Sequence, residues 1–418
     1  MPGQEGVSDR GLRVADMIKS GDGQTEAIER APGVWENRGI GNSYLITSDE
    51  GDVLVNAGAL RDARRGVELF AKVSQQPIRY TILTQSHANQ YGGLEVYKSP
   101  ENTVIAHRNY PEDRRYSEAL SPHYRRGSQR IFGGITGKGQ DIVPTVEVEP
   151  DLLIGDDGHV IEIGGRRIEI LWTPGGETRS AVVVWLPQER VAIVGNLFGP
   201  VFGNQPNLNT LRGDKPRWAL QFIESVKKVL ALRPEIVLTG HEAVSGADII
   251  EHEINKIVAS VQSIHDQTVE GMNAGKDLRT LMREIAPPPE LTLTEEYGKV
   301  AWNVRAIWHE YTGWFDPSRG TTELYGVATS SIAPALVELA GGVDPLIARA
   351  NQFVRDEHPL EALHVLDIVL AAEPTSEPAR AVKTEALTCL LKQTGGNNLW
   401  ERMWIAAALR ELDPSSTG

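Results

Sequence analysis

The chain has 418 residues, 40% hydrophobic and 23% charged, a globular composition long enough for two or more domains with cores of their own. Its 42 Lys and Arg against 56 Asp and Glu leave a net charge of −14, which argues against nucleic acid or an anionic membrane as the main partner. The single cysteine, Cys389, excludes an internal disulfide and a thiolate metal cluster and fits a cytoplasmic setting. Met1 to Asp9 is polar and shows no signal peptide, and no run reaches the roughly 18 apolar residues of a membrane span.

Residues 1–30 are polar and read as a loosely held arm. Asn42–Ile46 and Asp52–Asn56 flank the turn signal Ser48-Asp49-Glu50-Gly51 and predict a hairpin. Arg61 to Ser74 has helical spacing, and 77–84 returns to strand, an alternation of α/β layering. Residues 107–140, rich in Arg and Tyr, read as an irregular loop over a site. A β-rich block from Val146 to Gly195 contains Ile168–Trp172 and Ala181–Leu186, with Gly164-Gly165 as a turn. A helix over Arg217–Leu232 leads to a strand Ile236–Leu238 and the loop Gly240-His241-Glu242. After about residue 245, helix-period segments dominate (246–274, 277–285, 294–311). Helical hairpins broken by Pro374 and Pro378 then run from Asp344 to Leu412, like tandem helical repeats.

The stretch Thr84-Gln85-Ser86-His87-Ala88-Asn89-Gln90-Tyr91-Gly92-Gly93 follows a short apolar run and resembles the T-H-x-H-x-D-H-x-G-G pattern of the metallo-β-lactamase superfamily. Further segments, in order, resemble its alkylsulfatase branch: Thr173-Pro174-Gly175-Gly176-Glu177-Thr178, Asn207-Leu208-Asn209-Thr210-Leu211-Arg212-Gly213, Asn303–Ile307, Tyr311–Asp316 and Leu399–Arg402. The resemblance implies an αββα metallo-β-lactamase sandwich over residues 31–245, a helical dimerisation region over 246–340 and a C-terminal helical region over 341–418. The family usually continues into a sterol-carrier-like domain, and this sequence ends at Gly418.

The family's zinc pair takes neutral imidazoles and carboxylates as ligands. Carried over position by position, the chain offers Gln85, His87, Asn89 and Gln90, then Gly195 in place of an acidic ligand, then His241. Asn56 stands where the superfamily has an aspartate that orients a ligand histidine. These substitutions keep size and hydrogen-bonding capacity but remove charge or imidazole basicity. They predict a polar amide network that satisfies itself without a cation. His87 reads as a remaining ligand, a general base or a hydrogen-bonded relic, and His241 likewise. The resemblance makes Arg212 a contact for an anionic group, with Asn209 in the place of a tyrosine and Phe132 in the place of another hydroxyl donor. Glu177 reads as a cap or a site residue.

The resulting expectation is a subunit of a hydrolase assembly. It would hold no metal itself and associate as a homo- or hetero-oligomer with a related metallo-β-lactamase-fold chain that could carry zinc. Two alternatives stand beside it: an active divergent hydrolase of sulfate esters or activated aryl ethers and esters, with His87 or His241 as base, and a module that binds a small aromatic or anionic ligand.

Overall fold

The computed structural model describes residues 21–136, 148–211, 213, 215–317 and 320–412. The chain divides into two compact units, Met1–Arg126 with Gln140–Tyr311, and Gly127–Gly139 with Thr312–Gly418.

Two sheets form the centre of the first unit. One runs β1 (Ile28–Ala31), β2 (Val34–Asn37), β3 (Ser43–Ile46), β4 (Asp52–Val55), β5 (Ile78–Ile82), β6 (Thr103–His107) and β7 (Leu152–Ile154) in spatial order. The other runs, from one edge to the opposite, β8 (His159–Ile163), β9 (Arg166–Trp172), β10 (Val182–Leu186), β11 (Val191–Gly195), β12 (Ile236–Thr239) and β13 (Ala243–Ser245). The predicted hairpin is β3–β4, paired Tyr44 to Val55. Gly164 and Gly165, at φ +51° and +75°, join β8 to β9 beside the pair Ile163–Arg166; two left-handed residues give the turn the twist the strands need. The arm expected over 1–30 ends in a strand, β1, because Ile28 and Ala31 are ordered by pairing with β2.

Period-two burial explains the layering. Val182, Val184 and Leu186 of β10 share a core with Val53, Val55, Ile82 and Ile105 of the first sheet. The alternate residues Val183 and Trp185 pack instead with Phe222 and Val226 of the helix Ala219–Leu232 and with Ile254 and Ile257 of the helix Ala247–Asn273. On the other side Leu45, Leu54 and Val104 pack against Ala63 and Phe70 of the helix Leu60–Phe70. The order is helix, sheet, sheet, helix, as expected.

Residues 107–136 depart from the expected loop. They form the helices Tyr110–Ala119 and Ser121–Thr136. Few of their residues are apolar, so the periodicity is faint, but Pro111 opens the first one where a missing N–H costs nothing and Arg, Glu and Ala carry it. The segment expected to be helical from 294 starts at Val300, since Gly298 lies so close to the carbonyls of Gln205 and Pro206 that a Cβ would collide with them.

The second unit is helical. Val343–Arg355, Pro359–Ala372 and Glu377–Gln393 enclose a core of Ile347, Ala350, Ala362, Leu366, Val369, Ala379 and Ala386. Arg130 makes a paired contact with Glu411 and lies 4.1 Å from the ring centre of Trp404 in the helix Leu399–Leu412. Among the described residues no single helix is long and apolar enough to cross a membrane.

Candidate active site

The ends of β5, β9, β11 and β12 deliver the residues singled out above. Val182 N–H donates to the Thr84 carbonyl (2.9 Å), which ties the loop after β5 to the opposite sheet. Gly240 N–H donates to the Gly195 carbonyl (2.8 Å), and Asn42 N–H donates to the Gly240 carbonyl (2.7 Å). Tyr44 Oη donates to the Thr239 carbonyl at 2.6 Å, and burial holds its phenol well above the ordinary value, so it stays a donor. Thr239 Oγ1 in turn accepts from the N–H groups of His241 (3.0 Å) and Glu242 (2.9 Å). The floor of the site is thus fixed by backbone bonds that do not depend on any ion.

At the centre stands Glu177, with a side chain 4% exposed. Its Oε2 accepts from Gln85 Nε2 (3.0 Å) and Asn196 Nδ2 (2.9 Å) and lies 2.8 Å from His87 Nδ1. Its Oε1 is 3.8 Å from Nη2 of Arg217, which is also buried. Gln85 Oε1 accepts from Asn196 N–H (3.1 Å), and Gln90 Nε2 reaches Asn196 Oδ1 (3.3 Å). A buried carboxylate needs such compensation, since desolvation without it is costly. Gln85 Nε2 also lies 3.1 Å from His87 Nδ1, so the tautomer protonated at Nδ1 donates to Glu177 and the other accepts from Gln85.

The residues here do not fit the zinc pair that the resemblance implies. Tetrahedral zinc takes four donors, mainly imidazole, thiolate or carboxylate, and two such donors on one ion at about 2.0 Å stand roughly 3.3 Å apart. Among the described residues no three His, Cys, Asp or Glu side chains come together as such a group. The two that do, His87 and Glu177, point at each other at hydrogen-bond distance. The amide N–H groups of Gln85 and Asn196, donors that would repel a cation, occupy the same carboxylate.

The network departs from the expected one in its composition. It is a carboxylate ringed by amides, and it does not satisfy itself throughout. Asn56, at φ +58°, accepts from Thr84 N–H (2.9 Å) and Oγ1 (3.0 Å), but among the described residues its Nδ2 has no hydrogen-bond partner, nor has Gln90 Oε1. Asn89 Nδ2 lies 3.5 Å from the Ile40 carbonyl. Gly195 has φ +54°, and a Cβ there would lie 2.5 Å from Thr84 Oγ1. His241 is buried beside Gly240, where a Cβ would meet Asn196 and Gln90, so it borders the cluster. Asn209 is half-buried in a loop closed by the bond from Arg217 N–H to the Leu208 carbonyl (2.7 Å). Arg212 lies outside the described residues, and Phe132 lies in the helix Ser121–Thr136 with its side chain outside them. Asn196 and Arg217 escaped the sequence reading. Asn196 directly follows Gly195 at a strand end and could have been found, whereas nothing marks Arg217 as buried.

A mixed sandwich with loops after β5, β9, β11 and β12 converging at one end defines the class. Residues 37–241 match the model of the metallo-beta-lactamase superfamily, and residues 279–413 match that of alkyl sulfatase dimerisation. The chain belongs to the metallo-β-lactamase superfamily, in the alkylsulfatase-like branch that joins these two regions. It is 27% identical over 409 residues to a linear primary-alkylsulfatase of Pseudomonas sp., covering 90% of this chain and 74% of that one. It is 25% identical to an alkyl/aryl-sulfatase of Saccharomyces cerevisiae, covering 90% of this chain and 62% of the relative. The solved structure of a stereoselective inverting sec-alkylsulfatase from Pseudomonas sp. superposes with a TM-score of 0.83 at 22% identity, over 93% of this chain and 66% of that one, a likeness of fold. The chain therefore spans about three-fifths to three-quarters of the length of these relatives. The match to a dimerisation region supports oligomerisation.

Proposed function

We propose that the chain is a hydrolase of anionic esters, of the sulfate-ester kind, that works without a zinc pair and uses His87 as general base held by Glu177. The observation that carries this is the 2.8 Å contact between His87 Nδ1 and the buried Glu177 carboxylate. In the tautomer protonated at Nδ1, Glu177 stabilises the imidazolium that forms when Nε2 takes a proton from water. The hydroxyl oxygen then bonds to the ester's electrophilic atom as the ester bond breaks, and the proton on His87 passes to solvent or to the leaving oxygen. Gln85, Asn196 and Arg217 hold the Glu177 carboxylate in place. The sulfatases among the relatives support the substrate class, and Arg212 is the residue we expect to hold the sulfate. Turnover of 4-nitrophenyl sulfate by the full chain purified alone, before and after chelation, tests the reading. We expect activity that survives chelation and falls by about 100-fold or more in His87→Ala and Glu177→Gln. A chain inert alone, or one whose activity is lost with the metal, sinks it.

A second reading has its own support. The positions Gln85, Asn89, Gln90 and Gly195 carry no charge or imidazole, while residues 279–413 match a dimerisation region. In this reading the chain holds no metal and has a structural or regulatory role beside a metal-competent relative. Co-purification from the native source with zinc counted per chain distinguishes the two: hydrolysis only with a zinc-bearing partner selects this one.

A further inference from the structure

The helices Ala247–Asn273 and Val300–Thr312 are joined by a second cluster of titratable side chains, Asp266, His265 and Tyr311, that the proposed chemistry does not use. His265 Nδ1 lies 2.8 Å from Asp266 Oδ1, and His265 Nε2 lies 2.7 Å from Tyr311 Oη. The bond from His265 holds the Asp266 carboxyl below its ordinary value, so at neutral pH Asp266 is a carboxylate and can only accept. Nδ1 therefore carries the ring proton, and Nε2 is left to accept from the phenol. Gln262 Nε2 donates to the same Asp266 oxygen at 2.8 Å and fixes it from the preceding turn.

The fold separates the three by exposure. Ile257, Val261 and Ile264 seat one helix in the core, and Val304 and Ile307 seat the other. His265 is buried between them, while Asp266 and Tyr311 reach the surface. Partial burial, with the carboxylates of Glu310 and Asp266, raises the Tyr311 phenol above its ordinary value. It is thus not a phenolate at neutral pH, and it attacks only if a base takes its proton in the same step. His265 is placed to take that proton and Asp266 to stabilise the imidazolium, an order of nucleophile, base and orienting group that activates a hydroxyl.

We propose that Tyr311 is a nucleophilic tyrosine and a site of covalent modification, which takes the acyl group of activated aryl esters of carboxylic acids with His265 as its base. The Tyr311 oxygen bonds to the ester's carbonyl carbon as its proton passes to His265 Nε2. The bond from that carbon to the aryl oxygen breaks, its electron pair stays on the oxygen, and the aryloxide takes the proton from His265. The chain is left as the Tyr311 ester. The exposed setting of the phenol sets the class, because an ester that reacts at a surface must bring a good leaving group. The inference is independent of the reading of His87, since its readout is the mass of the peptide that carries Tyr311.

The full chain incubated with 4-nitrophenyl acetate, digested and followed by mass spectrometry gives the acetylation rate of each tyrosine. Tyr325, 67% exposed against 51% for Tyr311, is the internal reference. We expect Tyr311 to react about 100-fold faster than Tyr325, and His265→Gln and Asp266→Asn to lower its rate by about 100-fold and about 10-fold. A Tyr311 rate within about 10-fold of the Tyr325 rate, or one that neither substitution lowers, overturns the proposal. If His265→Gln does not fold, Asp266→Asn, at an exposed position, still decides.

Discussion

Two buried groups of amides lie in the first compact unit, and they differ by a carboxylate. Around Glu177, Gln85 and Asn196 each find a partner because an anion gives their N–H groups a common acceptor. At Asn204, Gln205 and Asn207 the side-chain atoms have no hydrogen-bond partner among the described residues, while the Gln205 N–H donates to the Thr294 carbonyl. Each neutral amide offers two donors and two acceptor lone pairs, and a carboxylate adds acceptors without donors, which gives the surrounding N–H groups a common target.

The strongest way to break this contrast is to remove the acceptor. Glu177→Leu takes away the carboxylate 3.8 Å from the buried Arg217 and the acceptor that Gln85 and Asn196 share. We expect a loss of about 3–5 kcal/mol in chemical denaturation. A loss below about 1 kcal/mol would mean that the carboxylate does not hold the cluster together. A middle-sized effect is expected from Gly195→Asp, which puts a side chain on a left-handed residue and drives its Cβ toward Thr84. About 1–3 kcal/mol of stability should go, and zinc counted by mass spectrometry should not rise. The smallest concerns Gln90, which belongs to both kinds of cluster, with a 3.3 Å bond from Nε2 and an unpaired Oε1. Gln90→Leu should cost less than about 1 kcal/mol, and a larger cost would place it firmly in the paired group.

Much of this was legible in the residues. Alternating apolar positions and turn chemistry predicted the β3–β4 hairpin, the Gly164-Gly165 turn and the helices on each face, because those depend on neighbours in sequence. The helices of 110–136 were not, since their apolar side is thin. At the site, His87 and Gln85 were recognised from a pattern, but the centrality of Glu177 was not. A glutamate after Thr-Pro-Gly-Gly reads equally well as a cap, and only the meeting of β5, β9 and β11 shows that it lies 92 residues from its Gln85 partner. Arg217 is a similar case: a charged residue before a helix looks solvated until the fold encloses it.

Gly195 sets the order in which this pocket could change. Its backbone sits in a conformation that side chains resist, with Thr84 across from the missing Cβ. An acidic side chain at this position requires Thr84 to shrink or the end of β11 to re-bend first. Gln85→His carries no such toll on the backbone, so changes at the two positions are of different cost.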